Sequence, residues 1–586
     1  MKYLIKRPFV RLSKHLNLWH EALHHRGLLD MARQRMLVAS GLMSLAFLLI
    51  CVRLVDVMVF RDKKTFDEAP ITHENTLPRA DIVDRNGEIL ATHLVTASLY
   101  ANPKVIINAK EAAQKLAKVL PNVTVETLFQ RLTSNKGFVW LSRHVPPKLQ
   151  DQINHLGIPG VYLQKDHKRV YPYGALASHV LGMCGVDSNG LSGTEKFFDV
   201  KLRKNKEPLK ISLDIRVQHI VHDELTNAMA EFNAIGGHAM VMDAKTGEML
   251  AMVSLPGIDP NMPNQDTANN KAASKDTYNR NTLGVYEPGS TFKILNIAIA
   301  LEAGSATTNS RYDARHAVQI GRFKVNDFKG KGRELSLTEA FVYSSNIAAI
   351  KIAQEFGTKT QKSYMKKFGI LTPTTIEVPE IGQPLIPANW TDVTAMTVSY
   401  GYGVSVTPLQ LLSTVNNIVG NGIPCQPTFV YKNASDRQAV IAANQQKERI
   451  VSEKTSKTIR NLMRLVVGEG TAKKADIEGY SVFGKTGTAY QAKGKSYKDK
   501  SRWTTFIGGF PLDEPQYVLL ITLDDPKPTK TTHGYATAGW NAAPTAGKII
   551  ARMGPILGVQ PDYEEVINPL ASNMAQWVNT SHKLTN

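Results

Sequence analysis

Glu287-Pro288-Gly289-Ser290-Thr291-Phe292-Lys293 runs into the apolar stretch Ile294-Leu295-Asn296-Ile297-Ala298-Ile299-Ala300-Leu301. Pro288 and Gly289 break the preceding loop and the apolar stretch continues as a helix, so Ser290 is expected in its first turn with Lys293 one turn later on the same face. That spacing brings a hydroxyl and an amine together. A serine hydroxyl is a poor nucleophile at neutral pH, and a desolvated lysine with a lowered pKa can take its proton and later deliver it to a leaving group. The helix N-terminus adds a positive field and free backbone N–H groups beside an attacked carbonyl. Ser-x-x-Lys is a common tetrapeptide, so its meaning depends on what else the chain carries.

Two further stretches complete a set. Phe341-Val342-Tyr343-Ser344-Ser345-Asn346-Ile347-Ala348-Ala349-Ile350 reads as a polar turn opening a helix, with a second hydroxyl at Ser344 and an amide at Asn346. Tyr480 to Tyr490 reads as a strand carrying Lys485, Thr486, Gly487 and Thr488, with the glycine where a backbone can approach a ligand closely. Lys-Thr-Gly also occurs at Lys245-Thr246-Gly247, but there it sits between two apolar runs, Ala239 to Met242 and Glu248 to Val253, and reads as a hairpin turn. Ser-x-x-Lys, Ser-x-Asn and Lys-Thr-Gly in this order, roughly fifty and then roughly a hundred and forty residues apart, resemble the set of penicillin-binding proteins and class A β-lactamases.

The 586 residues leave room for an anchor and two or more domains. The first thirty-five are strongly basic, and Met36 to Val52 then runs without a charge. Leu54, Val55, Val57, Met58 and Val59 lengthen that run if Arg53 and Asp56 share an interfacial face. An uncleaved transmembrane helix is expected, with the basic flank in the cytoplasm and everything after about residue 60 outside the inner membrane. A signal peptide is the competing reading, disfavoured by the long basic region and the lack of an Ala-x-Ala type site; a buried core helix is disfavoured because no polar face recurs. The net charge of +19 stays positive without the tail and suits an anionic lipid surface or cell-wall precursor, whereas no basic stripe interleaved with aromatics points to nucleic acid. Of three cysteines, Cys51 falls in the apolar run, and Cys184 and Cys425 are expected as two free, buried thiols, a bridge being the alternative that an oxidising compartment permits. The sixteen histidines show no metal-ligand spacing, so no metal and no cofactor are expected.

Pro78 to Ala91 reads as two short strands around an Asn-Gly turn, Pro146 to Ile153 as a helix and Gly160 to Leu163 as a strand: a small α+β region without a phosphate loop or paired acids. Here the resemblance sharpens. Arg79 to Ala91, Arg169-Val170-Tyr171-Pro172-Tyr173-Gly174, His179-Val180-Leu181-Gly182, Gly190 to Glu195, Thr407-Pro408-Leu409-Gln410 and the three elements above together resemble a class B penicillin-binding protein, from the anchor to about residue 555. Glu287 before Pro288-Gly289-Ser290 favours the division-specific peptidoglycan D,D-transpeptidase type over the elongation type. Ala80 stands where the family usually has Gly and Thr194 where it usually has a hydrophobic residue, the 202–213 stretch is short, and Gly539 to Pro544 follows the family only loosely.

The resemblance implies an α+β chain: a basic cytoplasmic tail (1–35), a transmembrane helix (36–58), a non-catalytic pedestal or dimerisation-type module (59–210), a serine penicillin-recognising transpeptidase domain with an antiparallel sheet flanked by helices (211–555), and a tail (556–586). It implies acyl transfer with Ser290 as nucleophile and Lys293 as base, Ser344 and Asn346 passing the proton and holding Lys293 and substrate, and Lys485, Thr486 and Thr488 binding a terminal carboxylate beside Gly487. Backbone N–H groups of Ser290 and Thr488 are expected to form the oxyanion hole. The implied partners are peptidoglycan stem peptides and their membrane-linked precursor, β-lactams as inhibitors, and a separate glycosyltransferase with other division proteins, because the 60–210 region lacks paired glutamate motifs. A β-lactamase, a D,D-carboxypeptidase and a β-lactam sensor or scaffold are the rival readings. The polar stretches Asn264 to Thr282 and Tyr490 to Ser501 are expected as loops near the cleft, either solvated linkers or contacts for acceptor or partner.

Overall fold

A computed structural model describes residues 28–55, 79–121, 123–262, 277–321, 323–491 and 501–563. The basic stretch before Leu28, most of the two polar loops and the C-terminal tail after residue 563 lie outside the described residues. Leu28–Val55 forms one helix of 28 residues (α1), and its part Arg35–Val52 is long and apolar enough to cross a membrane. Leu37, Phe47 and Leu49 on it are exposed, as the flank of a spanning helix requires.

Residues 77–586 form a separate compact unit. Its first part is built on a long strand. Ile82–Val83 (β1) turns at Asn86-Gly87 into the 13-residue Ile89–Ala101 (β2). The helices Ala109–Val119 (α2) and Val125–Leu132 (α3) follow, each started by a side-chain cap, from Asn108 and Thr124. Val139–Val145 (β3), the helix Pro147–His155 (α4) and Val161–Val170 (β4) complete an upper lobe, in which β3 and β4 both pair antiparallel with β2. Leu99, Leu116, Leu128, Leu141 and Ile153 form its own core. The start of β2 belongs to a lower lobe, where β1 pairs in parallel with Leu209–Lys210 (β5), Ile82 opposite Leu209. There Arg79 and Arg169 grip one carboxylate: Arg79 Nε lies 2.6 Å from Glu195 Oε2 and Arg169 Nε 2.6 Å from Glu195 Oε1, all three side chains buried. Asp199 takes a second Arg79 nitrogen at 2.6 Å. Thr194 is buried and its hydroxyl donates to Leu181 O, which accommodates a polar group at that position.

Asp214 caps the helix Ile215–Glu231 (α5), and Gly236–Asp243 (β6) and Met249–Leu255 (β7) form the expected hairpin. Lys245-Thr246-Gly247 is its turn: Asp243 Oδ1 accepts from the N–H groups of Lys245 and Thr246, and a Cβ on Gly247, at φ +74°, would lie 2.0 Å from Gln426 O. After the turn Gly289–Phe292 come the helices Lys293–Glu302 (α6), Leu337–Val342 (α7), Asn346–Lys367 (α8), Pro408–Val419 (α9) and Glu453–Gly468 (α10). The strands Phe483–Tyr490 (β8), Arg502–Phe510 (β9) and Tyr517–Asp524 (β10), then the helix Ala542–Ile556 (α11), complete the unit. The five-stranded antiparallel sheet has the order β8-β9-β10-β6-β7. Because helices cover it, β10 is a near-continuous apolar run with Val518, Leu519, Leu520, Ile521 and Leu523 all buried.

The apolar core of this second part runs on into the lower lobe, taking in Ile82, Leu90, Tyr171, Val180, Leu202 and Leu209 with Leu213, Val217 and Met240. Cys184 and Cys425 are both free; Cys425 is buried as expected, while Cys184 keeps partial exposure. Burial pushes both thiols up to about 12, which makes them inert at neutral pH.

Candidate active site

Ser290 lies not in the first turn of an α-helix but in the 3₁₀ turn Gly289–Phe292 that leads into α6. Side chains three residues apart eclipse in a 3₁₀ turn, so Ser290 and Lys293 sit one above the other, with Lys293 Nζ 3.0 Å from Ser290 Oγ. The turn is seated by backbone. Gly289 N donates to Gly401 O at 3.0 Å, and a Cβ on Gly401, at φ +92°, would lie 1.8 Å from Gly289 O. Only glycine tolerates that approach.

The second element follows a left-handed residue. Ser344, at φ 60°, ends the turn after α7 and directs its own carbonyl and hydroxyl at Lys293 Nζ, at 2.8 and 3.2 Å. This backbone costs a non-glycine residue about 1 kcal/mol, which the surrounding contacts must offset. Asn346 Oδ1 approaches Lys293 Nζ to 2.7 Å, and Asn346 Nδ2 donates to Asn326 O at 3.1 Å. Lys293 is therefore enclosed by four oxygens. Ser344 O and Asn346 Oδ1 can only accept, so they occupy both N–H groups of a neutral amine and leave its lone pair for the Ser290 hydroxyl. Burial, and next the charge of Lys485, push Lys293 well below the ordinary lysine range, while Asp327 acts in the opposite direction.

Lys485 enters on β8. Its Nζ lies 3.0 Å from Ser344 Oγ and 3.1 Å from Thr486 O, and burial pushes it down to about 7. Gly487 lets the strand lie against the turn, since a Cβ there would stand 2.8 Å from Thr291 Cγ2 and 3.1 Å from Pro288 O. Its part is close approach of two backbones. Thr486 Oγ1 is hydrogen-bonded to Thr471 Oγ1, and Thr488 Oγ1 accepts from Ala538 N at 3.3 Å. Ser290, Ser344, Asn346, Thr486 and Thr488 all line one cleft of about 650 Å³, with Lys293 and Lys485 buried beneath it. All eight residues picked out by sequence thus meet at one place, and Lys245-Thr246-Gly247 does not line it.

The sequence reading missed Asp327. Its Oδ1 accepts from Asn346 N at 2.5 Å and Ile347 N at 3.0 Å, and its Oδ2 accepts from Ser345 Oγ at 2.7 Å, so it holds the first turn of α8. Thr471 was also missed. Neither carries a local signal, because each reaches its partner across a loop rather than along an element. No group of three or more metal-ligating side chains occurs among the described residues.

Residues 237–551 match the penicillin-binding protein transpeptidase domain family, and residues 74–207 the penicillin-binding protein dimerisation domain family. The protein of Caulobacter vibrioides named "Probable peptidoglycan D,D-transpeptidase FtsI" is 35% identical over 501 residues, covering 83% of each chain. Peptidoglycan D,D-transpeptidase FtsI of Escherichia coli is 30% identical over 83% of this chain and 84% of its own. Stage V sporulation protein D of Bacillus subtilis is 31% identical over 91% of this chain and 87% of its own. A solved structure from Atopobium parvulum, described as a candidate peptidoglycan glycosyltransferase, superposes with a TM-score of 0.62 at 22% identity over 83% of this chain and 98% of its own, a likeness of fold.

Proposed function

The chain belongs to the class B penicillin-binding proteins, the family of peptidoglycan D,D-transpeptidases, and from that premise we propose that Ser290 is the acylated nucleophile of a septal transpeptidase. The observation that carries the assignment is the buried Lys293 amine, 3.0 Å from Ser290 Oγ and capped by two oxygens that only accept. Ser290 Oγ attacks the carbonyl carbon of the D-Ala-D-Ala bond while its proton passes to Lys293. The oxyanion that forms faces the N–H groups of Ser290 and Thr488, and one such donor is worth about 3 to 4 kcal/mol to a transition state. As the C–N bond breaks, Ser344 Oγ, in contact with both lysines, relays a proton to the departing D-alanine nitrogen. Lys485 and Thr488 hold the terminal carboxylate, with Thr486 fixed by Thr471. The amine of a second stem peptide then attacks the acyl-enzyme, loses its proton along the same relay, and frees Ser290 as the cross-link forms.

β-Lactams present the same carbonyl and carboxylate and acylate the same serine. The apolar α1 anchors the protein in the inner membrane by a single span, and the basic residues before Met36 support a cytoplasmic N-terminus and a catalytic unit outside. Glycan polymerisation falls to a glycosyltransferase partner among the division proteins. Labelled penicillin on the full-length protein in detergent is expected to give one covalent adduct, mapped to Ser290 and lost in Ser290→Ala. An adduct on Ser344 or Ser345, or one that survives Ser290→Ala, overturns the assignment.

A further inference from the structure

The terminal carboxylate of a donor peptide is met by Lys485 and Thr488, yet the cleft carries far more positive charge than that one group needs. Lys329, Lys473, Lys474 and Arg502 line it, and no Asp or Glu does among the described residues. Two of these cations are mounted on a stack of rings. Lys329 Nζ lies 4.6 Å from the centre of the Tyr535 ring and Lys474 Nζ 4.7 Å from that of Trp540, while Tyr535 and Trp540 are stacked with centroids 5.8 Å apart and planes within 7°. All four of these side chains line the cleft. Neither lysine has a carboxylate partner among the described residues, so two like charges stand on one pair of stacked rings. Cation–π contacts immobilise both chains in advance of a ligand.

The mounts are tied to the catalytic elements. Lys329 follows two residues after Asp327, which grips Ser345 and Asn346. Lys474 follows Thr471, which is hydrogen-bonded to Thr486, and a Cβ on Gly539 would lie 2.3 Å from Thr471 O, so the Trp540 segment lies flat on the same backbone.

We infer that Lys329, Tyr535, Trp540 and Lys474 form a subsite for a second carboxylate of the donor peptide, set back from the D-Ala-D-Ala end, so that the enzyme selects donors with a free acid at that point over donors in which it is amidated. The inference rests on the transpeptidase reading and adds a specificity to it. The stacked rings give the peptide backbone an apolar floor, and the ammonium groups mounted on them supply cationic partners for the carboxylate.

The test uses the full-length protein and two synthetic donor peptides of one sequence, differing only in whether the second carboxyl is free or amidated, with kcat/KM read for the parent, Lys329→Gln, Lys474→Gln, the double variant and Lys474→Arg. The parent is expected to favour the free acid by about tenfold, the order expected of a charge-assisted contact. The double variant loses that preference and Lys474→Arg keeps it. A parent that turns over both peptides alike, or a double variant that still discriminates, overturns the subsite. Labelled penicillin in the same preparations reports the serine separately: a parent that takes no label refutes the transpeptidase reading itself.

Discussion

Ser344 Oγ lies between two buried amines, 3.2 Å from Lys293 Nζ and 3.0 Å from Lys485 Nζ, and their division of labour follows from what surrounds each. Lys293 is closed in by acceptors, and burial together with the charge of Lys485 pushes it well below the ordinary lysine range. In the proposed mechanism Lys485 meets the substrate carboxylate and must be charged to do so, although burial alone pushes it down to about 7. A group with a lowered pKa loses its proton as the pH rises through that value, so kcat/KM for a carboxylate-bearing donor, which reports the free enzyme, should fall on the alkaline side of about 7. Lys485→Arg keeps its charge there, and the falling limb is expected to move up by more than about one unit, with some loss of rate from the altered fork geometry. Stopped-flow acylation by penicillin over a pH series reads this directly; an unmoved limb removes Lys485 from that role. The Ser290 and Lys293 pair was legible because a spacing of three keeps the two side chains together in an α-helix and in a 3₁₀ turn alike. Thr486 was legible as a member of the site, but its hydroxyl bond to Thr471 was not, since nothing along the chain marks which loop will cross the strand.

Helix α8 begins at the site and depends on a residue outside it. Asp327 supplies the acceptors for Asn346 N and Ile347 N and for the Ser345 hydroxyl, and its charge raises the pKa of Lys293 against the effects of burial and Lys485. Asp327→Asn keeps one acceptor oxygen and loses both the charge and the second acceptor. Loss of an N-terminal cap of this kind costs about 1 kcal/mol of stability. Acylation should slow by about tenfold to a hundredfold through misplacement of Asn346. With the raising influence gone, Lys293 sheds its proton at lower pH, so the rising acid limb of the acylation profile should shift downward. A thermal melt together with the pH profile separates the cases: a lower melting point with an unshifted limb reduces Asp327 to a cap. Strands β6, β7 and β8 were readable from apolar runs and period, and the two Lys-Thr-Gly triplets could be told apart by their neighbours. The register was not readable. Pairing of β10 with β6, Tyr517 opposite Asp243, joins segments that no local pattern connects.

Across the whole molecule the apolar core passes without interruption from the catalytic sheet into the lower lobe, while the upper lobe keeps a core of its own. The resemblance implied a boundary near residue 210, but burial shared between segments far apart leaves no mark along the chain. The Arg79, Arg169 and Glu195 cluster stands in that shared region with side chains 3% exposed or less. Glu195→Gln leaves the buried Arg169 without its charge partner and Arg79 with Asp199 alone, and removal of one partner from such a cluster costs about 3 to 5 kcal/mol. Denaturant unfolding should show a loss of that order, whereas acylation per folded molecule, obtained by titrating active sites against total protein, should match the parent; an unchanged unfolding midpoint contradicts this account. Arg79 and Glu195 are 116 positions apart, and the chain leaves the ribosome N-terminal end first. At ordinary rates of synthesis Arg79 therefore waits on the order of ten seconds for its carboxylate, and β1 as long for β5. The upper lobe can fold during that interval, but the segment that closes the lower lobe must stay open and soluble until its counterpart arrives. Lesions in this cluster would thus be felt during biogenesis, as fewer finished molecules rather than slower ones.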